Sequence, residues 1–417
     1  MTGGRRVCVT GAGAVTPLGN TVAEFHAGLQ AGRSGVRALG AEFAPRLAYN
    51  AFGTVDIEPS ARLPKARLAG LDRVCVLALI AAHEAVADAG LAPEGGGHGS
   101  LSGAAVYVGT GMGGAESIES GYQELLLRGG ARVNPFMVLK AMNNAAAAHI
   151  AMDFGCHGPS LTFSTACSSS AIAIGEAARL IRHGAADVAI AGGTEALLTL
   201  GTIAAWQALR TLAIPDPADP STACRPFAAD RSGLVLGEGA GFVVLEEEQH
   251  ARRRGAAVIA DLRGYGASTD ATHLTKPDAG GQAAAMQAAL GDAGLRPEQI
   301  GYINAHGTAT LAGDVIEIEA IKRVFGAAAA RVPVSSTKSM HGHLMGATGA
   351  VELIATLIAL RHGFLPPTIN LHRPDPACDL DHVANTARTG VHLEHAMSNS
   401  FAFGGSNAVL IVSRPAA

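Results

Sequence analysis

The sequence has few charged and few aromatic residues, no dense cysteine framework and no long uninterrupted apolar run. Charged residues make up 16% of the 417 positions and hydrophobic residues 48%, whereas an average domain is about 25% charged. Long-range disorder is therefore excluded, because a chain of this composition can bury a large core. So few charges also indicate that part of the surface is covered by another subunit.

Other absences narrow the class of protein. The net charge is −4 without any basic block, which excludes nucleic acid as the main partner. The six cysteines form no C-x-x-C pair, a usage typical of reduced thiols, and no signal peptide is evident. The longest apolar helical segment, residues 349–360, contains Glu352 and is too short to span a bilayer. We therefore expect a cytoplasmic protein without membrane contact.

Short β-rich runs alternate with Ala/Leu-rich helical segments along the whole chain. Several runs are apolar on both faces, as in strands covered by helices on each side. The predicted strands are residues 7–10, 104–109, 161–165, 187–193, 241–246, 302–307 and 334–337. The predicted helices, each with Gly at its C-terminal end, are residues 74–91, 169–184, 281–295 and 349–363. This alternation predicts an α/β fold.

Two segments share one order of elements. Residues 161–184 and 333–363 each run strand, turn of small residues, helix and then Arg-His-Gly. This echo predicts two related halves. The dense charge cluster at 245–256, interpreted as a solvated helix face, marks their boundary, and we expect halves at 1–252 and 253–417.

Cys167 and His306 stand at positions typical of catalytic groups. Cys167 follows an apolar strand and begins a helix, where backbone N–H groups and the helix dipole stabilise a thiolate. Its small neighbours let a carbonyl approach the sulfur, so this context predicts a nucleophile. The other five cysteines are interpreted as small buried hydrophobes. His306 ends a predicted strand, where ligand and catalytic groups cluster in α/β proteins.

The segment 335–352 combines Lys338, His341, His343 and Glu352 just before a helix. An H-x-H pair can ligate zinc, but no Cys or Asp lies nearby to complete a site. We favour one histidine as a hydrogen-bond donor, with Lys338 and Glu352 forming a charge-compensated network around it. No metal is therefore expected.

The segment 109–114, GTGMGG, lacks the Lys-Ser/Thr of a phosphate loop, and no GxSxG elbow is present.

Four blocks together resemble the signature of one family, the β-ketoacyl-acyl carrier protein synthases, and the elongation type in particular. They are TACSSS, NAHGTAT, KSMHGHLMGATGAVE and NSFAFGGSN, supported by VTGAGAVTPLG and CRPFAADRSGLVLGEGAG. The resemblance covers essentially the whole chain in the expected order. It implies a thiolase fold, with two similar halves in five α-β-α-β-α layers and active sites near a large dimer interface.

The resemblance also implies roles for individual residues. Cys167 accepts the acyl group, His306 and His343 are the active-site histidines, Lys338 organises His343, and Glu352 is the buried partner of Lys338. Phe403 is implied as a gate whose backbone N–H joins that of Cys167 in an oxyanion hole. The implied substrate-binding residues are Met112 at the floor of the acyl pocket, Phe136, Thr275, Thr308, Thr310 and Phe401.

The implied partners are an acyl carrier protein and a second subunit. Substrates travel on the phosphopantetheine arm of the carrier, and no other cofactor is implied. Because carrier proteins are acidic, we predict docking on the basic residues Arg62, Lys65, Arg67 and Arg73. The second subunit is either another copy or a homologue resembling a chain-length factor.

The predicted reaction is decarboxylative Claisen condensation of an acyl thioester on Cys167 with malonyl-carrier, in fatty-acid or type II polyketide elongation. The alternatives are a non-catalytic chain-length partner, against which Cys167 counts, and a thiolase, against which the two histidines count. Ala402 stands where Gly is usual, and His341 where Thr is usual. The H-G-H variant is similar to specialised synthases of nodulation-factor and polyene pathways.

Overall fold

A computed structural model describes residues 5–40, 43–91, 101–129 and 132–415. The strands are β1 (Val7–Val15), β2 (Val36–Arg37), β3 (Phe52–Gly53), β4 (Ala105–Gly109), β5 (Ser160–Phe163), β6 (Val188–Glu195), β7 (Gly239–Glu247), β8 (Ala260–Thr269), β9 (Tyr302–Asn304), β10 (Val334–Ser335), β11 (Phe364–Leu365), β12 (Arg388–Thr389), β13 (His395–Phe401) and β14 (Ser406–Ser413). The α-helices are α1 (Val22–Ala31), α2 (Lys65–Leu68), α3 (Arg73–Asp88), α4 (Ala115–Leu126), α5 (Met137–Ala141), α6 (Ala145–Phe154), α7 (Ser169–Arg182), α8 (Leu200–Ala208), α9 (Glu248–Arg253), α10 (Ala279–Ala293), α11 (Leu311–Phe325), α12 (Lys338–His341) and α13 (Thr348–His362).

The main sheet is built from two units with the same topology. From its outer edge the first unit has the order β5-β4-β6-β7-β1, and the second has the order β10-β9-β13-β14-β8. In both units the two outer pairings are parallel and the two inner pairings antiparallel. The units meet where β1 pairs with β8. The repeat confirms the duplicated architecture and supports the division at 252/253, which stays a prediction.

Helices lie on both sides of each unit. In the middle of the molecule, α7 and α13 pack against each other and against strands of both units. On the outer faces, α3 and α6 cover the first unit, and α10 with α11 covers the second. The layers therefore follow the predicted order α-β-α-β-α. No helix in the described part of the chain has the length and hydropathy needed to cross a membrane.

The central helix α13 shows why this arrangement suits the sequence. Every residue from Thr348 to Leu360 is buried, which matches a helix that is apolar on all sides. The helix ends where Gly363 adopts a φ of 65°, a conformation that Gly takes without steric cost. Because α13 begins deep in the molecule, the segment before it is placed in the interior.

Some elements differ from the sequence-based prediction. The strands predicted at 302–307 and 334–337 end early, at Asn304 and Ser335, so His306 and His343 lie outside the strands. Strands β8, β13 and β14 were not predicted; the Gly-rich segment 399–407 contains the turn of the β13–β14 hairpin, residues 402–405. The solvated-face interpretation of 245–256 is wrong for Glu246, which is fully buried and paired with Arg254, because it lies on the central strand β7.

Candidate active site

Cys167 lies in a tight turn between β5 and α7. The turn is a short 3-10 helix, Ala166–Ser168, in which Ala166 adopts the left-handed conformation with a φ of 51°. Such a conformation is costly for a residue with a Cβ and is held only by its surroundings. The Ser169 hydroxyl provides part of that support, since it donates to the Ala166 carbonyl at 2.7 Å and accepts the Thr165 N–H at 2.9 Å.

The structure brings Cys167, His306 and His343 together. The Cys167 sulfur and one nitrogen of each histidine all lie within 4.8 Å of one another. The two imidazole rings meet edge to face, with centroids 5.4 Å apart and planes at 85°. All three side chains are buried. A thiol therefore faces two imidazoles across a small space.

The protonation state of Cys167 differs from the sequence-based expectation. Burial raises the pKa of its thiol to about 11, although the backbone N–H groups of Phe403 and Cys167 hydrogen bond to the sulfur and oppose the rise, as does the Lys338 ammonium. The prediction of a resting thiolate is therefore wrong: desolvation of the anion outweighs the helix terminus. The cysteine rests as a thiol, with two backbone donors already aimed at its sulfur.

The two histidines rest uncharged and are held in place. Burial and the nearby Lys338 charge hold the pKa of each well below the usual value. His343 Nδ1 lies 2.8 Å from the Thr348 hydroxyl, and its buried Nε2 has no hydrogen-bond partner among the described residues. The backbone of His306 is fixed by Glu317, whose carboxylate accepts the N–H groups of His306 and Gly307 at 2.8 and 2.7 Å. A buried imidazole nitrogen left unpaired is suited to bind substrate.

Lys338 and Glu352 form a completely buried ion pair beside the histidines. Their Nζ and Oε1 atoms are 2.6 Å apart, and neither side chain is exposed. Burial raises the pKa of the Glu352 carboxyl, and the Lys338 charge opposes that rise. The Lys338 charge adds to burial, the larger cause, in lowering the pKa of both imidazoles.

His341 and His343 have different surroundings, which bears on the H-x-H motif. His341 Nδ1 lies 2.7 Å from the Gly342 carbonyl, and its Nε2 lies 3.0 Å from the Thr337 hydroxyl. Both nitrogens are thus occupied, and burial lowers the pKa of His341 to about 3. The two histidines therefore do not offer a joint metal site, whereas His343 joins Cys167 and His306.

A cavity of about 310 Å³ opens onto this cluster. The predicted residues that line it are Cys167, His306, His343, Thr275, Thr308, Thr310, Phe401 and Phe403. Sequence reasoning missed other lining residues, among them Trp206, Arg210 and Lys276. Trp206 is the only tryptophan of the chain, and this rarity could have marked it as a candidate site residue. Only the tertiary fold shows that its helix lies beside Cys167.

Met112 and Phe136 do not line this cavity in the single chain, so their predicted roles in substrate binding stay predictions. Their side chains are 46% and 59% exposed. The backbone of Met112 is nevertheless anchored near the site, because buried Glu195 accepts the N–H groups of Gly111 and Met112 at 2.7 and 3.1 Å and that of Gly346 at 2.9 Å. In the single chain the two apolar side chains lie on an exposed surface.

The predicted docking residues fall into two pairs. Arg62 and Lys65 are exposed. Arg73 is half-buried in a bidentate contact with Glu238 at 2.7 Å, and Arg67 is paired with Asp153. An arginine held in this way by a buried carboxylate has a structural role, so the predicted patch reduces to Arg62 and Lys65.

Comparisons with known proteins identify both halves. Residues 4–251 match the family described as "Beta-ketoacyl synthase, N-terminal domain", and residues 259–372 match "Beta-ketoacyl synthase, C-terminal domain". The chain is 44% identical to nodulation protein E of Rhizobium meliloti (strain 1021), over 97% of this chain and 98% of that protein. It is 41% identical to 3-oxoacyl-[acyl-carrier-protein] synthase 2 of Coxiella burnetii, over 98% and 99% of the two chains.

A solved structure shows the same fold over the whole length. The ishigamide ketosynthase/chain length factor superposes with a TM-score of 0.91 at 36% sequence identity, covering 99% of this chain and 100% of that chain. The similarity therefore extends to both units of the sheet and to the loops that bring Cys167 and the histidines together.

Proposed function

Since the chain belongs to the β-ketoacyl synthase family, we propose that it condenses an acyl group held on Cys167 with malonyl-acyl carrier protein. The observation that carries this proposal is the cluster of one thiol and two neutral imidazoles within 4.8 Å. A thiol alone would allow acyl transfer, but two uncharged hydrogen-bond donors facing it also suit a carbanion-forming step.

The first half-reaction is transfer of the acyl chain to Cys167. The sulfur attacks the thioester carbonyl of the acyl carrier, and the pantetheine thiol leaves with the proton that Cys167 gives up. The backbone N–H groups of Phe403 and Cys167, which already contact the sulfur, stabilise the oxyanion formed on the way. Aimed donors of this kind contribute about 3–4 kcal/mol in other acyl-transfer enzymes.

The second half-reaction joins the chains. Loss of CO₂ from the malonyl thioester leaves the electron pair on the adjacent carbon as an enolate, whose oxygen accepts hydrogen bonds from His306 and His343. The enolate carbon attacks the acyl-cysteine carbonyl, the Cys167 sulfur leaves, and a proton from solvent restores its thiol. The Lys338–Glu352 pair keeps the two imidazoles neutral, so they act as donors rather than as acids that would quench the enolate.

The pantetheine arm enters through the cavity, which charged and polar side chains line. Arg210, Lys276 and Asp270 line it together with Thr275, Thr308 and Thr310. We place the phosphate of the arm against the two cations, because phosphate is bound by such groups. Arg62 and Lys65 remain the proposed contacts for the acidic surface of the carrier itself.

A second subunit is proposed at the exposed apolar surface around α4 and α5. Large apolar side chains exposed there include Met112, Tyr122, Leu126, Phe136 and Val138. Strand β5 forms the outer edge of the first unit nearby in sequence to Cys167, and exposed strand edges are usually covered. The partner is a second copy or a chain-length-factor homologue, as in the similar ketosynthase/chain length factor structure, and it completes the acyl pocket at Met112.

The comparisons favour a condensing enzyme over both alternatives, but the pathway is a proposal. All six cysteines are free and buried, which supports the expected reducing, cytoplasmic compartment. The similarity to nodulation protein E and the H-G-H variant support a specialised pathway rather than primary fatty-acid synthesis.

The decisive experiment uses the Cys167→Ala variant, with Cys224→Ala as a control because Cys224 is equally buried elsewhere. Intact-mass spectrometry should show an acyl adduct after incubation with acyl-carrier for the wild type and for the control, and none for Cys167→Ala. With malonyl-carrier added, only the first two should give a β-ketoacyl product. Full acyl loading of Cys167→Ala would falsify the assignment of the nucleophile. Activity only after addition of a chain-length-factor homologue would identify the heterodimer.

A further inference from the structure

Trp206 lies on α8 and lines the same cavity as Cys167. Its indole stacks on the ring of Phe403, with ring centroids 6.1 Å apart and planes at 17°. Offset stacked aromatic pairs of this kind contribute more than the apolar area they bury. The contact joins a helix of the first half to the β13–β14 turn of the second half.

Buried apolar side chains hold Trp206 in place. It packs against the apolar cluster that contains Cys167, Leu197, Ile203 and Met345. Ile203 lies one turn earlier on the same helix and is fully buried. The indole is therefore anchored to the same group of side chains that surrounds the nucleophile.

The turn that holds Phe403 is built from conformations that side chains restrict little. Gly404 and Gly405 adopt φ values of 85° and 77°, and a Cβ added at Gly404 would meet nothing within 4 Å. Backbone hydrogen bonds close the turn between Ala402 and Ser406 and join it to the segment 270–274, through Gly404 N–H to Leu274 and Asp270 N–H to Gly405. None of these bonds involves the backbone N–H of Phe403, and the Phe403 ring stacks on Trp206.

The backbone N–H of Phe403 takes part in the proposed acyl transfer, whereas its ring does not. Its N–H lies near enough to the Cys167 sulfur to oppose the rise in the pKa of that thiol, and on the function proposed above it is a donor to the acyl-transfer oxyanion. Donors of this kind work only when fixed in advance at hydrogen-bonding distance. A displacement of the turn by about 1 Å is enough to lose much of the effect.

We propose that Trp206 is a positioning residue for acyl transfer, which holds the Phe403 N–H against the Cys167 sulfur by stacking on the Phe403 ring. It acts through Phe403 rather than on the substrate. Its removal therefore slows the acylation step more than it weakens substrate binding. This inference rests on the proposed function.

The test is a double-mutant cycle on the full-length protein with Trp206→Ala, Phe403→Ala and the double variant, and with Trp206→Phe as the conservative control. Single-turnover acylation by acyl-carrier is followed by intact mass. Trp206→Ala should acylate about three- to tenfold more slowly, with KM for acyl-carrier unchanged, and Trp206→Phe should restore the rate. Phe403→Ala should be equally slow, and the double variant no slower. Additive losses, or a raised KM at an unchanged rate, would overturn the proposal.

Fluorescence gives a second readout, because Trp206 is the only tryptophan. Its emission should change when Cys167 is acylated in the wild type and stay constant in Cys167→Ala, which checks that the change follows acylation. An unchanged emission on full acyl loading of the wild type would overturn the link between Trp206 and the nucleophile turn. If Cys167→Ala itself became acylated, the proposed function would fail instead, whatever the Trp206 variants show.

Discussion

The turn before α7 and the turn before α13 follow the same backbone path and carry different chemistry. Each is a three-residue 3-10 helix that follows the outer-edge strand of its unit. It is Ala166–Ser168 after β5 and Met345–Ala347 after β10. Each begins with a non-glycine residue in the left-handed region, Ala166 at a φ of 51° and Met345 at 45°. Each leads directly into a central helix.

The side chains at matching positions differ. Cys167 in the first turn corresponds to Gly346 in the second, and the helix-starting Ser169 corresponds to Thr348. The first turn presents a sulfur, whereas the second presents a backbone N–H to Glu195, and His343 lies three residues before Gly346. Two turns of similar local geometry thus bring different groups to one cluster, a thiol from the first turn and an imidazole from the segment before the second.

The largest expected effect comes from giving the second turn a side chain. In Gly346→Ala, the new Cβ would lie 2.5 Å from the Gly111 nitrogen and 2.6 Å from the Thr110 Cα. Backbone atoms of the buried segment 110–111 cannot give way, so we expect a loss of about 2–4 kcal/mol in the free energy of unfolding. Urea unfolding followed by circular dichroism measures it.

Gly291→Ala is the matched control for Gly346→Ala. Gly291 lies inside helix α10, where an added Cβ meets nothing within 4 Å, so this variant should be as stable as the wild type or more stable by up to about 1 kcal/mol. Equal stability of the two variants would show that the second turn is not packed as described.

A smaller effect distinguishes the two helix-starting hydroxyls. Thr348→Val removes the hydroxyl that fixes His343 Nδ1, and Ser169→Ala removes the one that braces the Cys167 turn. Each lost hydrogen bond should slow its own half-reaction by about tenfold, decarboxylation of malonyl-carrier for Thr348→Val and acylation for Ser169→Ala. Thr348→Ser should restore the first rate. If both variants slowed the same half-reaction, the assignment of Thr348 to decarboxylation and Ser169 to acylation would be refuted.

The smallest effect concerns pH and the segment before the second turn. His341 is buried with a folded-state pKa of about 3, against 6.5 when exposed. The unfolded chain therefore binds the extra proton between these values, and His341 makes stability fall as pH drops from about 6.5 towards 3. Replacing His341 by Thr should flatten that dependence, measured as Tm between pH 7 and 4.5. An unchanged slope would mean that other groups cause the acid sensitivity.

Much of the fold and of the site was predictable because local patterns encode them. The apolar run of α13, the Gly stops and the repeated Arg-His-Gly indicated an α/β duplication, and the four signature blocks indicated Cys167, His306, His343, Lys338 and Glu352. Strands β8 and β13 were not predicted because glycines or polar residues interrupt their apolar pattern. Strand β14 was not predicted although its apolar run at 408–412 is continuous. Arg73 was misjudged because its partner, Glu238, lies 165 residues away.

The sequence by itself determined which chemical groups are available and the order of strands, turns and helices that carries them, since both depend on residue type and short-range periodicity. Only the tertiary structure decided that three groups from distant loops share one buried space. It also decided that the thiol rests protonated. It decided that both ring nitrogens of His341 have hydrogen-bond partners, whereas Nε2 of His343 has none among the described residues, and that Trp206 stacks on Phe403. These properties depend on desolvation and on contacts between remote segments, which no local pattern records.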